Sequence, residues 1–319
     1  MSNIFTIGEA LIDFIPEQKG VGLKAVNSFY KSPGGAPANV AATAAKLGAK
    51  SYFIGKLGAD AFGDFLVETL ATVGVGIDYI QRTEVANTAL AFVSLKEDGE
   101  RDFSFYRSPS ADMLLEEKEI NSEWFHLGDI LHFCSVSLVD APVRKAHLAA
   151  IKAVKEAGGI ISFDPNIRLP LWKDHIEYKN VIHNFLVYAD ILKISEDEIE
   201  FITGVKDEKI AIQWLLSLGL KILLITRGKN GVSAYYNDQE ITVPGYSVSV
   251  ADTTGAGDAF IGSFIYKLSI STVDINHISK DEMKEILSFS NAVAALTTTQ
   301  KGAISAIPSR ETVEKFLSK

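Results

Sequence analysis

A glycine-rich run near the carboxyl end constrains the fold of this chain more than any other stretch. Residues 252–260 read Asp-Thr-Thr-Gly-Ala-Gly-Asp-Ala-Phe. The alternating segment 246–250 precedes the run and predicts a strand, and apolar residues recur at helical spacing from Phe260 to Leu268. Small residues are therefore predicted where a strand turns into a helix. The unpaired N–H groups of a first helical turn, together with the helix dipole, favour a bound anion there.

Asp258 suggests that this loop does more than bind an anion. The backbone at Gly255, Ala256 and Gly257 lets a phosphate approach closely, but a carboxylate beside the phosphate would repel it. The carboxylate is explained if it is a base that takes a proton from a hydroxyl attacking that phosphate. The alternative is that Asp258 caps a helix and the glycines form a tight turn. The two aspartates, two threonines and helix context favour phosphoryl transfer.

The same run resembles the carboxy-terminal signature of the ribokinase-like (PfkB) carbohydrate kinases. Residues 34–41, Gly-Gly-Ala-Pro-Ala-Asn-Val-Ala, resemble the amino-terminal signature of that family. Residues 8–14, 105–112 and 163–172 resemble its fructokinase branch. The resemblance implies a ribokinase-like α/β fold: a Rossmann-like, mostly parallel sheet flanked by helices, with a small β-sheet lid. It also implies a kinase that uses ATP and Mg²⁺.

The composition indicates a globular protein and argues against several other classes. The chain has 319 residues, 47% of them hydrophobic and 22% charged, with a net charge of −9. No segment collects Lys and Arg, so we expect no nucleic-acid partner. We expect no membrane span or signal peptide either, and hence a soluble cytoplasmic protein. The single cysteine, Cys134, excludes an internal disulfide, and the six histidines show no metal-ligand spacing.

Apolar runs alternate with helical patterns along most of the chain. This alternation predicts a mostly parallel sheet with helices on both faces, and ligands bind beyond the carboxyl ends of such strands. The predicted strands cover residues 4–7, 51–54, 130–134, 159–163, 191–194 and 222–226, and the predicted helices cover 37–47, 64–73, 142–157 and 210–218. The polar residues that follow these strands closely, and are expected to converge, are Asp164, Asn166, Glu198 and Arg227.

Two segments interrupt the alternation. Residues 10–31 and 88–106 are β-rich, and no helix follows either of them. We expect both to form an accessory sheet, a lid within a single kinase domain that spans residues 1–319. Residues 96–100 would form a turn in this lid. The resemblance implies that such a lid often also forms a homodimer interface.

Polar residues near the predicted lid suit a sugar. Asn39 offers both a donor and an acceptor to a polyol. Asp13 lies in an apolar run, where an unpaired carboxylate is costly, so it either faces solvent or holds a ligand. Arg168 can clamp phosphate or sugar oxygens. On the resemblance, the predicted sugar-binding residues are Asp13, Gly34, Gly35, Asn39, Arg107, Asn166 and Asp258, and the predicted catalytic residues are Asp258, Gly255, Ala256, Gly257 and Arg168.

The predicted nucleotide site draws on later strands. Residues 195–198 resemble the Asn-x-x-Glu motif of the family, with Ser195 in place of the asparagine, which implies that Glu198 binds Mg²⁺ through water. A helix capping box is the alternative for these two residues. The predicted nucleotide-binding residues are Lys193, Glu198, Thr226, Gly228, Gly231, Gly257 and Asn291. The resemblance also implies a K⁺ site at Asp252 and Thr254, although Ala306 lacks the serine oxygen of some relatives.

Together these residues predict an ATP-dependent sugar kinase whose partners are a small sugar and ATP. The resemblance to the fructokinase branch favours D-fructose as the acceptor and fructose 6-phosphate as the product. One alternative is a kinase of the same family for 2-keto-3-deoxygluconate, ribose or a nucleoside. Another is a sugar-binding homologue without catalysis, which the presence of Asp258 disfavours. A Rossmann dehydrogenase ranks low because no Gly-x-Gly-x-x-Gly follows a strand near the start.

Overall fold

The computed structural model describes residues 2–18, 20–95 and 101–318. These residues form thirteen β-strands and nine α-helices. The strands are β1 (Ile4–Ile7), β2 (Leu11–Pro16), β3 (Phe29–Gly34), β4 (Ser51–Gly58), β5 (Ile80–Thr83), β6 (Leu90–Leu95), β7 (Arg101–Tyr106), β8 (Ile130–Cys134), β9 (Ile160–Asp164), β10 (Ile191–Ser195), β11 (Ile222–Thr226), β12 (Val232–Tyr236) and β13 (Gln239–Val243). The helices are α1 (Ala36–Leu47), α2 (Ala61–Thr72), α3 (Pro142–Glu156), α4 (His175–Leu186), α5 (Ile199–Thr203), α6 (Glu208–Leu216), α7 (Ala256–Ile270), α8 (Lys280–Thr297) and α9 (Arg310–Leu317).

Nine strands form the main sheet, in the order β13-β12-β11-β10-β9-β8-β1-β4-β5. Neighbouring strands from β5 to β11 run parallel, whereas β11, β12 and β13 form an antiparallel edge. The central strands are near-continuous apolar runs because helices bury them on both faces. The carboxyl ends of the parallel strands therefore meet at one edge of the sheet, where the predicted polar residues follow them.

Two apolar cores lie on opposite faces of this sheet. One contains Leu192 and Ile194 of β10 together with buried residues of α3, α4, α5 and α6. The other contains Ile191 of the same strand with buried residues of α1, α7, α8 and α9. The alternation along β10 thus sends neighbouring side chains into different cores. In the described part of the chain, no helix has both the length and the apolarity of a membrane span.

The predicted accessory sheet is present. It contains four strands in the order β3-β2-β6-β7, with β2 and β6 parallel and the two outer pairs antiparallel. Asp13 pairs with Ala91, which pairs with Phe105, so these three residues share the face that lines a cavity. Phe14 and Phe92 stack on the opposite face. The predicted turn at residues 96–100 lies outside the described residues.

The strand predicted at residues 246–250 is wrong. The chain is irregular from Pro244 to Val250. Pro244 has no N–H to donate to a sheet, and the side-chain amide of Asn291 binds the carbonyls of Val243 and Pro244, at 3.2 and 3.0 Å. Residues of this segment line a cavity instead. The alternation in the sequence therefore belongs to an irregular segment that runs along a cavity.

The hairpin of β12 and β13 was not predicted from the sequence. Its turn residues, Asn237 and Asp238, both have positive φ, at 48° and 56°. Two such residues form the turn type that suits the twist of a β-hairpin. The Asn-Asp pair between two alternating runs was the available signal. Helix α4 was also missed, whereas the predicted helices are all present with their ends shifted by a few residues at most.

Candidate active site

The glycine-rich run forms the amino-terminal turn of α7. Gly255 precedes the helix with φ of 75°, and a Cβ at this position would lie 2.8 Å from the Cβ of Ala303. A side chain would therefore be both strained and crowded there. No side chain of the described residues caps this helix end. The N–H of Ala256 donates to the carbonyl of Thr253 at 3.3 Å. The other N–H groups of the first turn are directed at the space before the helix, where an anion would lie.

Asp258 lies in that first turn but does not cap the helix. Its side chain accepts a hydrogen bond from Nδ2 of Asn39 at 2.8 Å, and the residue is only 8% exposed. Burial raises the pKa of the Asp258 carboxyl, while the Asn39 amide and the charges of Lys193 and Arg168 oppose that rise. Among the described residues, the buried Oδ1 of Asn39 has no hydrogen-bond partner. An oriented carboxylate and an unsatisfied amide oxygen thus lie side by side.

A cavity of about 320 Å³ lies between the lid sheet and the carboxyl ends of the main strands. The predicted residues that line it are Asp13, Gly35, Asn39, Asn166, Arg168, Lys193, Thr254, Gly255, Gly257 and Asp258. Most of the predicted sugar-binding and catalytic residues are thus brought together. Lys193, predicted on the nucleotide side, faces this cavity instead.

Gly34 and Gly35 connect the lid to α1 and shape the cavity floor. A Cβ at Gly34 would collide with Oδ2 of Asp13. Gly35 has φ of 103°, and a Cβ there would overlap the carbonyl oxygen of Glu9. Gly34 is not among the residues that line the cavity, but its lack of a side chain leaves room for the Asp13 carboxylate. The structure thus requires glycine at both positions of the predicted motif.

Glu9 is a cavity residue that the sequence analysis missed. It is fully buried, and its carboxylate accepts hydrogen bonds from the N–H of Ala36 at 3.2 Å and from Oγ of Ser137 at 2.5 Å. Burial raises the pKa of the Glu9 carboxyl, although the nearby Arg107 opposes that rise. The available signal was an acidic residue two positions after the end of the apolar strand β1.

Arg107, predicted to bind sugar, lies behind the cavity wall and is held by other residues of the chain. Arg107 is buried and forms an ion pair with Asp112, and it donates to the carbonyl of Val136 at 3.3 Å. It is absent from the described lining of the cavity. The reason is local, because Asp112 lies five residues further along and takes up the guanidinium as the chain leaves the lid. Arg107 therefore anchors the end of β7.

A buried ion pair joins the strand ends below the cavity. Nζ of Lys193 lies 2.8 Å from Oδ2 of Asp164, and both side chains are almost fully buried. Burial raises the pKa of Asp164 to about 6, although the charge of Lys193 opposes this rise. Burial alone would lower the pKa of Lys193, but the carboxylates of Asp164 and Glu198 raise it overall. The amine therefore stays charged, and it lies 3.1 Å from the position that a Cβ of Gly257 would occupy.

A second cavity, of about 430 Å³, lies on the other side of the α7 amino terminus. Five residues of the predicted nucleotide site line it, together with Ala256: Thr226, Gly228, Gly231, Gly257 and Asn291. Its walls include Val248, Val250 and Phe260, which suit a flat apolar group. The two cavities share Thr253 and Gly257, so they meet at the glycine-rich turn. Arg227 was expected to converge with the other polar residues that follow the strands. It pairs instead with Glu196 and Glu208.

Comparison with known proteins agrees with this arrangement. A sequence model of one family, described as pfkB family carbohydrate kinase, matches residues 1–310. The chain belongs to the pfkB family. It is 47% identical over 310 residues to fructokinase-2 of Solanum lycopersicum, covering 96% of this chain and 93% of that one.

Two solved structures of pfkB-type kinases are closely similar. The fructokinase of Vibrio cholerae O395 in its fructose-, ADP- and calcium-bound form has a TM-score of 0.90 at 36% identity, covering 99% of both chains. The aminoimidazole riboside kinase of Salmonella enterica, complexed with aminoimidazole riboside and an ATP analogue, has a TM-score of 0.87 at 32% identity, covering 100% of both chains. The ribokinase-like fold predicted from the sequence is thereby confirmed.

Glu198 of this pfkB kinase is part of a capping box. Its carboxylate accepts hydrogen bonds from the N–H of Ser195 at 2.8 Å and of Ile167 at 2.7 Å, and Ser195 completes the box. The helix capping box, which was the alternative to a magnesium site for these two residues, is therefore present. Each carboxylate oxygen accepts one backbone donor and retains a lone pair. These lone pairs can accept hydrogen bonds from the water ligands of a magnesium ion, so the carboxylate fits an ion held through water. Glu198 itself lines neither cavity.

Asp252 and Thr254 hold the loop before the glycine-rich turn. Oδ1 of Asp252 accepts hydrogen bonds from the N–H and Oγ1 of Thr254, at 2.9 and 2.6 Å, and Oδ2 accepts from the N–H of Gly302 at 3.1 Å. Carboxylate and hydroxyl oxygens suit a monovalent cation, whereas the buried methyl group of Ala306 offers no ligand. Within the described residues, no three His, Cys, Asp or Glu side chains are grouped to hold a metal.

Proposed function

We propose that this pfkB kinase transfers the γ-phosphoryl group of ATP to the primary hydroxyl of D-fructose, which yields ADP and fructose 6-phosphate. One observation carries the proposal. The two cavities meet at Thr253 and Gly257, and the buried Asp258 lines the cavity on the lid side. An acceptor in one cavity would face a phosphoryl donor in the other across the α7 amino terminus. The fructokinase names of its relatives support fructose as the acceptor.

Asp258 is the proposed base of this reaction. Its carboxylate takes the proton of the attacking hydroxyl, and the hydrogen bond from Asn39 keeps it in one orientation. The first-turn N–H groups at Gly255, Ala256 and Gly257, together with the α7 dipole, stabilise negative charge on the transferred group. Arg168 and Lys193, both on the cavity wall, add positive charge on the acceptor side.

The remaining predicted residues are proposed to bind the two substrates and the ions. Asp13, Asn39 and Asn166 pair with sugar hydroxyls in the lid-side cavity. Thr226, Gly228, Gly231 and Asn291 line the cavity proposed for ATP. Glu198 would hold Mg²⁺ through water, and the ion supplies positive charge to the phosphates when it is bound. Asp252 and Thr254 would hold a monovalent cation such as K⁺.

We also infer that residues 1–319 form one kinase domain, with a lid from residues 10–31 and 88–106. We infer that the protein acts in the cytoplasm and forms a homodimer through that lid. Support for the dimer comes from the lid face that bears the stacked Phe14 and Phe92. Tyr106 packs against Phe92 yet is 64% exposed. Sedimentation should give twice the monomer mass for the natural protein and a smaller species for Tyr106→Glu. An unchanged mass in the variant would count against this interface.

A substrate panel tests the proposed reaction. ADP formation is measured with fructose, ribose, adenosine, glucose and 2-keto-3-deoxygluconate, and we expect the highest kcat/KM for fructose. A cavity that pairs sugar hydroxyls should penalise a poorly matched acceptor by roughly 1–3 kcal/mol per unpaired buried group. A tenfold preference for another sugar or nucleoside would refute fructose while leaving the kinase intact. No sugar-dependent ADP formation at all would refute the kinase.

A riboside is the second candidate acceptor. The aminoimidazole riboside kinase is similar over the whole chain, and its acceptor is larger than a free hexose. Adding aminoimidazole riboside to the panel separates the two candidates. A higher kcat/KM for the riboside than for fructose would favour this second function.

A further inference from the structure

Asp164 is a buried acid that the proposed reaction does not yet use. It ends β9, and its side chain is 1% exposed. Both carboxylate oxygens are occupied: Oδ2 accepts a hydrogen bond from Nζ of Lys193 at 2.8 Å, and Oδ1 accepts from the N–H of Asn166 at 3.1 Å. Lys193 and Asn166 both line the lid-side cavity, whereas Asp164 is absent from its described lining. The Asp164 carboxylate thus contacts two cavity-lining residues without itself lining the cavity.

The first contact concerns the charge at the glycine-rich turn. On adjacent parallel strands, Ile191 pairs with Ser162 and Leu192 with Phe163, so the next residues, Lys193 and Asp164, lie side by side. The Lys193 amine lies close to Gly257, at the junction of the two cavities. A buried lysine without an opposite charge loses its proton readily. The Asp164 carboxylate therefore supports a positive charge at the junction.

The second contact concerns the shape of the loop after β9. Asn166 has φ of 46°, a left-handed conformation that non-glycine residues adopt infrequently. An aspartate side chain that accepts from the N–H two residues further on forms an Asx turn, which favours such a bend. The bend sends the chain back along the cavity, so that Arg168 also lines its wall.

We propose that Asp164 is a positioning residue for phosphoryl transfer, with one oxygen fixing the Lys193 ammonium beside Gly257 and the other fixing the Asn166 turn. This inference rests on the proposed kinase reaction. Asp164 itself contacts neither substrate. It couples the charge at the phosphoryl site to the shape of the acceptor site, because both depend on the same carboxylate.

Two substitutions at one position separate the two contacts. Asp164→Asn keeps an oxygen for the N–H of Asn166 but removes the charge beside Lys193. We expect kcat to fall ~10²-fold, as for loss of one preorganised charge-stabilising donor, with the KM for fructose within threefold of the natural value. Asp164→Ala removes both contacts, so the KM for fructose should rise at least a further fivefold. A purely structural role predicts no such division between kcat and KM.

A double-mutant cycle tests whether Asp164 acts through Lys193. In a Lys193→Met background, Asp164→Asn should lower kcat by less than threefold, because the group it positions is gone. Equal losses in both backgrounds would overturn the proposal, as would an Asp164→Asn enzyme with natural kcat. If Asp164→Asn does not fold, Asp164→Glu displaces the charge by one methylene group. Natural kcat in that variant would overturn the proposal.

The chain provides a matched control. Asp190 accepts from the N–H of Ile161 at 2.9 Å and pairs with Lys221 at 3.2 Å, where β10 and β11 begin and far from the cavity end of the sheet. Asp190→Asn therefore removes an ion pair that is more exposed than that of Asp164, and it keeps an acceptor for the backbone. We expect its kcat to stay within twofold of the natural value. Natural protein that forms no ADP with any sugar would refute the proposed function, whereas active natural protein with unaffected Asp164 variants would refute only the positioning role.

Discussion

The side-chain amide of Asn39 donates to the carboxylate of Asp258 across 2.8 Å, although 219 positions separate the two residues in the sequence. Helices α1 and α7 make this contact by packing closely. A Cβ at Gly262 would lie 2.8 Å from the Cβ of Thr43, so the glycine permits that approach. The amino-terminal and carboxy-terminal glycine-rich motifs therefore form one site. The proposed base and the residue that orients it come from opposite ends of the chain.

The first prediction concerns Asp258. Asp258→Asn keeps the size and a hydrogen-bonding group but removes the proposed base, so kcat should fall by roughly 10²–10⁴. ATP affinity and the fold should change little, because this side chain does not cap α7. Steady-state kinetics, calorimetric ATP binding and circular dichroism measure these quantities. A folded variant with natural kcat would disprove the proposed mechanism.

The second prediction concerns the pH dependence of the reaction. The hydrogen bond from Asn39 opposes the rise in the pKa of Asp258 that burial causes. Asn39→Ala removes this opposition, so the pKa of the base should rise. Because the base must be deprotonated, the acid limb of the kcat/KM profile should move to higher pH.

A control separates this effect from general damage. Asn276 is an exposed asparagine whose amide contacts only Asp274 within the described residues. Asn276→Ala should leave the acid limb in place. If Asn39→Ala lowers activity equally at every pH, the amide does not act on the base.

The third prediction compares two glycines at the ends of α1. Gly35 and Gly48 have nearly the same φ, 103° and 106°, but a Cβ at Gly35 would overlap Glu9 whereas nothing lies within 4 Å of one at Gly48. Alanine at either position should cost about 1–2 kcal/mol of stability through backbone strain, and Gly35→Ala should cost more because its Cβ would also overlap the backbone of Glu9. Only Gly35→Ala should raise the KM for fructose, because only Gly35 lines the cavity. A similar KM for both variants would contradict the role of Gly35.

The main sheet could be predicted because its signals are local. Strands such as Ile4–Ile7 and Ile222–Thr226 are short apolar runs, and β1 and β11 have the predicted bounds. The segment 246–250 was assigned wrongly because alternation does not distinguish a sheet from an irregular segment along a cavity. The deciding contact, from Asn291 to the carbonyls of Val243 and Pro244, depends on a helix more than forty residues away.

The site was predicted only in part, because the sequence shows residue types and motifs but not the tertiary contacts of each side chain. Residue type and motif indicated Asp13, Asn39 and Asp258, and all three line one cavity. The sequence does not reveal which partner an arginine takes, so the ion pair of Arg107 with Asp112 was not predicted. The pairing of Lys193 with Asp164 depends on strand register, which is a tertiary property.

The fourth prediction concerns the lid. Its four strands pair only with one another, and β7 is an edge strand. Backbone amides of β6 and β7 should exchange readily without sugar and become protected when fructose binds between the lid and the main sheet. Hydrogen exchange followed by mass spectrometry measures this, with the buried strand β11 as an internal control that should not change. Equal exchange of the lid peptides with and without fructose would contradict closure.

The last prediction concerns stability in acid. His132 is completely buried, and its Nδ1 forms a hydrogen bond with Oγ of Ser162 at 3.0 Å. Burial lowers the pKa of the imidazole to about 3, and the charge of Lys193 adds to this effect. Unfolding restores the imidazole pKa to ~6.5. Between these values the unfolded chain binds a proton that the folded chain does not, so stability falls as the pH falls. The slope from this residue approaches about 1.4 kcal/mol per pH unit.

Urea unfolding from pH 7 to pH 4.5 measures that slope. His132→Gln should reduce it, since the other titrating groups contribute to both proteins and largely cancel in the comparison. Ser162→Ala serves as the control, because it removes the hydrogen-bond partner but keeps the buried imidazole; its stability should be lower with a similar slope. Parallel stability curves for the natural protein and His132→Gln would show that His132 can accept a proton within the fold, contrary to its burial. A smaller slope in His132→Gln alone would assign this part of the acid sensitivity to the imidazole beneath the strand ends.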